Sequence, residues 1–235
     1  TAQVDGLGED PTFAKIFPPS AKLDAYGMAL DDIAVFEAAG HARDSIGQLA
    51  TYGFVTYTGM RTLLTGIARR LRGLDDDVKL PEALAGTRFL DLGSGDGRAV
   101  ISAAFLVPGF VEAVGVELSI SRHDLAVRNH QRLPEHLLTV VELKQGDMLQ
   151  VDAARLGAAD IVWVANLRFP DEAIEAVNAK LEKECAANAD AVVATLRPCP
   201  FQRPHEAWTE LVSMSWNPEG CPVYCYLVHA ATAAS

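Results

Sequence analysis

The stretch Phe89-Leu90-Asp91-Leu92-Gly93-Ser94-Gly95-Asp96-Gly97-Arg98 carries the strongest chemical signal in the chain. Glycines at alternate positions let a backbone turn tightly and approach a ligand where a Cβ would collide. The first N–H groups of a following helix favour acceptor atoms there. The spacing is Gly-x-Gly-x-Gly, whereas dinucleotide-binding turns use Gly-x-Gly-x-x-Gly. Asp91 lies inside the apolar run before the turn, where a carboxylate repels a pyrophosphate and welcomes a cation. Glu117 closes the next apolar run about 20 residues later, placed for a ribose diol. Asp147 and Met148 follow a third apolar run in Gln145-Gly146-Asp147-Met148, where the acid is placed to accept from the exocyclic amine of adenine. An adenosyl group bearing a cationic aminoacyl-sulfonium arm meets all these conditions, so the residues point to S-adenosylmethionine (SAM). A dinucleotide, and a glycine turn kept for folding alone, are the alternatives.

These residues must be positioned by alternating strands and helices. Thr87–Leu92, Ala113–Leu118, Thr139–Leu143, Ile161–Val164 and Ala191–Thr195 read as strands, several of them apolar enough to be buried on both faces. Gly97–Phe105, Ser119–Arg132 and the segment opened by Pro170, Asp171 and Glu172 read as helices. Upstream, Met60, Leu63, Leu64, Ile67 and Leu71 fall on one face of a helix over Thr56–Leu71. Gly73, the acidic run Asp75–Asp77 and Pro81 form the connector after it. Before it, the chain is loop-rich around Pro11, Pro18 and Pro19, then helical over Ala29–Ala39 and Ala42–Ala50. From Glu210 to Val228 helical period is lost, and Gly220 with Pro222 predicts the turn of an antiparallel hairpin. Parallel β/α units closed by such a hairpin make an α/β, doubly wound, mostly parallel sheet. The domain reading is an N-terminal loop and helical extension over residues 1–80 and a ligand-binding domain over 81–235.

Composition narrows the class further. With 49% apolar and 22% charged residues the chain can bury a core, which excludes a disordered reading. No apolar run reaches the ~18–20 residues needed for a membrane span. A net charge of −11 argues against strong autonomous nucleic-acid binding. The densest basic cluster, Arg69, Arg70 and Arg72, reads as a solvated helix end. Cys185, Cys199, Cys221 and Cys225 form no Cys-x-x-Cys pair, and no histidine cluster has zinc spacing, so no metal is expected and the thiols read as buried.

Several segments resemble the disruptor-of-telomeric-silencing (Dot-type) histone lysine methyltransferases, a non-SET family of class I fold. Tyr52-Gly53-Phe54-Val55-Thr56 is similar to their Tyr-Gly-Glu-x-Thr motif, and Val164-Ala165-Asn166-Leu167-Arg168-Phe169 to Val-Asn-Asn-Phe-x-Phe. Ser215-Trp216 and Pro222-Val223-Tyr224-Cys225-Tyr226 resemble the C-terminal Ser-Trp and Pro-Val-x-Tyr-Tyr elements. The likeness runs from about Tyr52 to Val228. It implies a seven-stranded, Rossmann-like methyltransferase sheet and methyl transfer from SAM to a protein lysine through an aromatic channel. By resemblance Asn166, Phe169, Trp216 and Tyr226 serve the acceptor, while Thr56, Asp91, Gly93, Ser94, Gly95, Gly97, Glu117, Asp147 and Met148 hold the cofactor. The departures fall in the acceptor half: Ala165 replaces the motif's first Asn, Phe54 its Glu, and Cys225 its first Tyr.

Two functions follow. One is a SAM-dependent methyltransferase acting on a protein lysine. The other is a methyltransferase-like, catalytically degenerate subunit of a larger protein complex, which the altered acceptor motifs and acidic composition favour. A small-molecule or RNA methyltransferase is a third reading; the Asn/Asp-Pro-Pro-Tyr type of motif used on nucleic-acid amines is absent after the fourth strand. The family resemblance implies a nuclear location; a processed start at Thr1 would imply a mitochondrion or another organelle.

Overall fold

The computed structural model describes residues 11–17, 30–43, 46–49, 53–74, 78–187 and 189–230. Tyr52, Pro18, Pro19, the acidic run Asp75–Asp77 and Thr1 lie outside them. The strands are β1 (Arg88–Leu92), β2 (Glu112–Glu117), β3 (Val141–Gln145), β4 (Ile161–Val164), β5 (Ala191–Thr195), β6 (His205–Met214) and β7 (Asn217–Val228). They form one sheet in the order β3-β2-β1-β4-β5-β7-β6. The first five are parallel, and β7 runs antiparallel to both β5 and β6. Strand order reverses between β1 and β4, which opens a crevice at their C-terminal ends. This is the predicted doubly wound sheet with its antiparallel hairpin.

Alternation along each strand feeds two cores. Phe89, Ile161, Trp163, Val192 and Ala194 face α4 (Tyr57–Arg72) and α6 (Arg98–Leu106). Leu90, Leu92, Val162, Val164 and Val193 face the opposite way, toward α9 (Ala153–Ala158) and α10 (Asp171–Glu184). Met60, Leu63, Leu64 and Ile67 of α4 are fully buried in the first core. The amphipathic face read from the sequence is therefore packed into the sheet's own interior. Thr56 caps α4, and Gly73 ends it in the left-handed conformation. The remaining helices are α1 (Pro11–Ile16), α2 (Leu30–Ala38), α3 (Ile46–Leu49), α5 (Leu80–Ala83), α7 (Ile120–His130) and α8 (Glu135–Leu138). Among the described residues, no helix is long and apolar enough to cross a membrane.

Two expectations are corrected. Pro11 opens α1 instead of a loop, because proline fits a first helical position that needs no N–H. The hairpin turns at Ser215-Trp216, not at Gly220 and Pro222. Met214 pairs with Asn217, leaving two residues for the turn. Gly220, at φ +120°, instead serves the irregular pairing opposite Val212–Met214. Pro222 pairs with Leu211 of β6 but lies beyond the reach of β5, so its missing N–H breaks no second ladder. The basic cluster is exposed at the end of α4, as read, with Arg72 donating to the Ala83 carbonyl and Arg70 over the Trp208 ring.

Candidate functional site

The glycine turn is built from backbone hydrogen bonds. The N–H groups of Gly93 and Ser94 both donate to the Val116 carbonyl, at 2.9 and 3.0 Å, and Gly97 N–H closes on Ser94. Gly93, Gly95 and Gly97 take φ of +93°, +56° and +78°, so this path strongly favours residues without a Cβ. Glu117 then pins the turn from the next strand: one carboxylate oxygen accepts from Gly95 N–H at 2.7 Å and the other from Ser119 N–H at 2.8 Å. Beneath the turn, Asp96 pairs with the buried Arg98 at 3.2 Å, and its carbonyl accepts from Asn129. The Arg98 guanidinium lies 3.8 Å from the Phe54 ring centre and 4.4 Å from that of Phe17.

Asp91 stands apart. It is buried, and its Oδ1 has no hydrogen-bond partner among the described residues. Burial first, then the charges of Glu117 and Asp96, hold its carboxyl well above the ordinary aspartate range. An unpaired buried acid costs stability unless something cationic is to complement it.

A cavity of about 340 Å³ opens at the crevice. On one side it is lined by Gly93, Gly95, Val116, Glu117, Leu118, Asp147 and Met148. On the other stand Gly53, Ala165, Leu167, Arg168, Phe169, Leu196 and Trp216, with Phe36 of α2 and Arg122 of α7 completing the wall. Its mouth is open, with Leu167 at 40% and Trp216 at 44% exposure. The first wall fits an adenosyl ligand: a glycine cradle, two carboxylates and apolar surface for a flat base, with an orphaned acid behind the turn.

No protein-family profile matches the sequence, and neither does any protein of curated function. Solved structures do match. Cofactor-bound Rv0187 from MTB aligns at TM-score 0.53 and 16% identity, over 96% of this chain and 93% of that one. A protein assigned as an O-methyltransferase from Klebsiella pneumoniae aligns at 0.52 and 13%, over 96% and 92%. A protein assigned as methyltransferase yhhF from Escherichia coli aligns at 0.50 and 16%, over 65% and 81%. The chain has the fold of a class I SAM-dependent methyltransferase.

On this methyltransferase fold, the residues expected at the site divide clearly. Gly93, Gly95, Glu117, Asp147, Met148, Phe169 and Trp216 line the cavity, while Asp91, Ser94 and Gly97 do not. Thr56, Asn166 and Tyr226 do not line it. The Thr56 hydroxyl accepts from Gly59 N–H at 2.9 Å and bonds the Ser213 carbonyl at 3.2 Å. Asn166 is fully buried; its Oδ1 accepts from the N–H groups of Leu196 and Arg197 at 3.0 and 2.7 Å, and its Nδ2 donates to the Arg197 carbonyl. Tyr226 pairs with Val193 across the sheet, which turns its ring into the α10-side core. There its hydroxyl accepts from Cys199 N–H at 3.0 Å, and the ring packs against Phe201.

Sequence reasoning missed Phe36, Leu118, Arg122, Leu167, Arg168 and Leu196 as wall residues. Phe36 arrives because Asp32 on α2 accepts hydrogen bonds from Ser119 and Ser121 at the start of α7. Nothing local to α2 announces that long-range contact. Gly53 carried a signal in its motif, and its purpose is steric: a Cβ there would stand 2.4 Å from Trp216 Cε3.

Proposed function

We propose that this chain is a SAM-dependent N-methyltransferase whose acceptor is an amine, that of a protein lysine side chain. The observation that carries the reading is the composition of the crevice cavity, in which the glycine turn and its acids meet an aromatic mouth. The residues that would hold SAM are Glu117 and Asp147, each oxygen having lone pairs to spare for ribose hydroxyls and the adenine amine, with the glycine turn beside them. Asp91 supplies negative charge behind the turn for the cationic arm. When bound, the cofactor supplies a methyl group on a cationic sulfur, which is left as a neutral thioether.

The remaining work falls to the chain's own side chains. A lysine amine must be neutral to attack, and its ordinary pKa of ~10.4 must fall. Phe169, Trp216 and Leu167 desolvate it, which disfavours the ammonium form. Among the described lining residues no histidine, lysine or tyrosine stands ready as a base, and Glu117 and Asp147 are on the cofactor side. That favours an acceptor that sheds its proton to water on entry. Catalysis is then chiefly alignment of the amine at the aromatic mouth.

The alternative, a catalytically degenerate subunit, is favoured by one observation: Ala165 offers the wall a methyl group where the resembled family has an amide. Calorimetry of SAM against the purified chain separates the two. Micromolar binding, lost in Asp91→Ala/Glu117→Ala, supports the enzyme and justifies assay of lysine peptides with labelled SAM. A folded chain that binds no SAM at millimolar concentration sinks it.

A further inference from the structure

A second cavity, of about 430 Å³, adjoins the first and shares Leu167, Arg168 and Phe169 with it. The turn carrying these three residues is held from behind at both ends. Asn166 bonds the backbone of Leu196 and Arg197 at its start, and Arg197 Nη1 donates to the Phe169 carbonyl at 3.3 Å. Arg197 is thereby spent, since its Nη2 also pairs with Asp171 at 2.8 Å. Arg168 is different. It is exposed, and no hydrogen bond or ion pair joins its guanidinium to any described residue, although Asp171 and Glu172 line the same second cavity.

We propose that the second cavity is an acceptor subsite in which Arg168 receives a carboxylate carried by the methyl acceptor close to its amine. The proposal rests on the amine reading above and deepens it. Three features support it. The guanidinium fork matches a carboxylate in two-point geometry. The residue borders both cavities, so one acceptor can place its amine in the aromatic mouth and its anion beside Arg168. Finally, the neighbouring cation Arg197 is paired with Asp171, so among the described residues of that wall Arg168 is the positive charge without an ion-pair partner and Glu172 the negative one. The carboxylate can be a main-chain terminus or an adjacent acidic side chain.

Ligand-observed NMR titrations of the full chain with S-adenosylhomocysteine present test this. The probes are matched pairs: acetyl-lysine and its amide, acetyl-Lys-Glu-amide and acetyl-Lys-Gln-amide, and acetyl-norleucine and its amide. The acidic member of at least one lysine pair should bind about fivefold or more tightly than its neutral partner. Which pair shows the preference identifies the source of the carboxylate. Arg168→Gln should erase the preference and Arg168→Lys should retain part of it. Equal binding within every pair, a preference untouched by Arg168→Gln, or no binding of any probe overturns the subsite. If acetyl-norleucine keeps the carboxylate preference and binds as tightly as acetyl-lysine, the subsite stands and the amine reading fails.

Discussion

The two walls of the cavity use polar groups in opposite ways. On the glycine-turn side, polar groups face the cavity: Glu117 and Asp147 line it, and Glu117 at the same time holds the turn together with the Val116 carbonyl. On the acceptor side the wall is mostly apolar, and the polar groups stand behind it. Asn166 anchors the turn that presents Phe169, and Ser215 bonds Phe54 to fix the turn that presents Trp216. A side chain that looks chemically able can thus be spent on scaffolding, while its inert neighbour lines the cavity. Asn166 beside Ala165 is the clearest pair.

The largest break in this contrast comes from removing charge on the cofactor side. Asp91→Ala with Glu117→Ala should weaken SAM binding by about 100-fold or more in calorimetry. Glu117→Ala alone should also cost about 3 kcal/mol in unfolding free energy, since two buried N–H groups lose their acceptor. Native affinity in a folded double variant would move the cofactor elsewhere.

Asp91 adds a pH dependence of definite sign. Its carboxyl is raised by burial first and by Glu117 and Asp96 next, so the folded free protein holds a proton that the unfolded chain releases. Its contribution therefore favours folding at low pH and is lost as pH climbs from the ordinary aspartate range through the raised value. A cationic ligand favours the carboxylate, so SAM affinity should rise with pH over that window, with proton release. Asp91→Asn should flatten both profiles. Calorimetry in buffers of different ionisation heat counts the protons, and an unchanged proton count in the variant would acquit Asp91.

The contrast also explains what was legible. Ile161–Val164 and Ala191–Thr195 lie where their apolar runs place them, because a strand buried on both faces carries its signal locally. The glycine turn is local too, and Gly93 and Gly95 of its Gly-x-Gly-x-Gly spacing line the cavity. Tyr226 was not placed correctly because a one-residue shift reverses the face, and its register is set by pairing with Val193, far away in sequence. Gly220 and Pro222 are genuine turn formers, yet the Met214–Asn217 pairing put the turn at Ser215-Trp216. The wall opposite the glycine turn is harder to read because Gly53, Leu196 and Trp216 reach it from segments far apart in sequence.

Substitutions on the acceptor side should leave the cofactor alone. Asn166→Ala strands the N–H groups of Leu196 and Arg197 and should cost about 2–3 kcal/mol in denaturant unfolding. Methyl transfer should fall with the loosened turn while SAM affinity stays within about twofold. A variant that loses SAM binding would merge the two walls into one unit. Gly53→Ala is milder. Its methyl group must push the Trp216 ring aside, and about a fivefold rise in acceptor KM with unchanged kcat is expected. Unaltered kinetics would remove Trp216 from the acceptor path.

The smallest expected effect concerns Tyr226, which separates the observed register from the one the resemblance suggested. Its hydroxyl accepts from Cys199 N–H in the core on the α10 side, and burial raises its pKa. Tyr226→Phe removes that acceptor and should cost about 1 kcal/mol, or roughly 2–4 °C in Tm. SAM affinity and methyl transfer should both be unchanged, since neither cavity includes the ring. A tenfold loss of transfer at constant Tm would mean that the hydroxyl reaches the acceptor. In that case β7 would have to pair with β5 one residue out of the Val193–Tyr226 register, exchanging the faces of Tyr226 and Cys225.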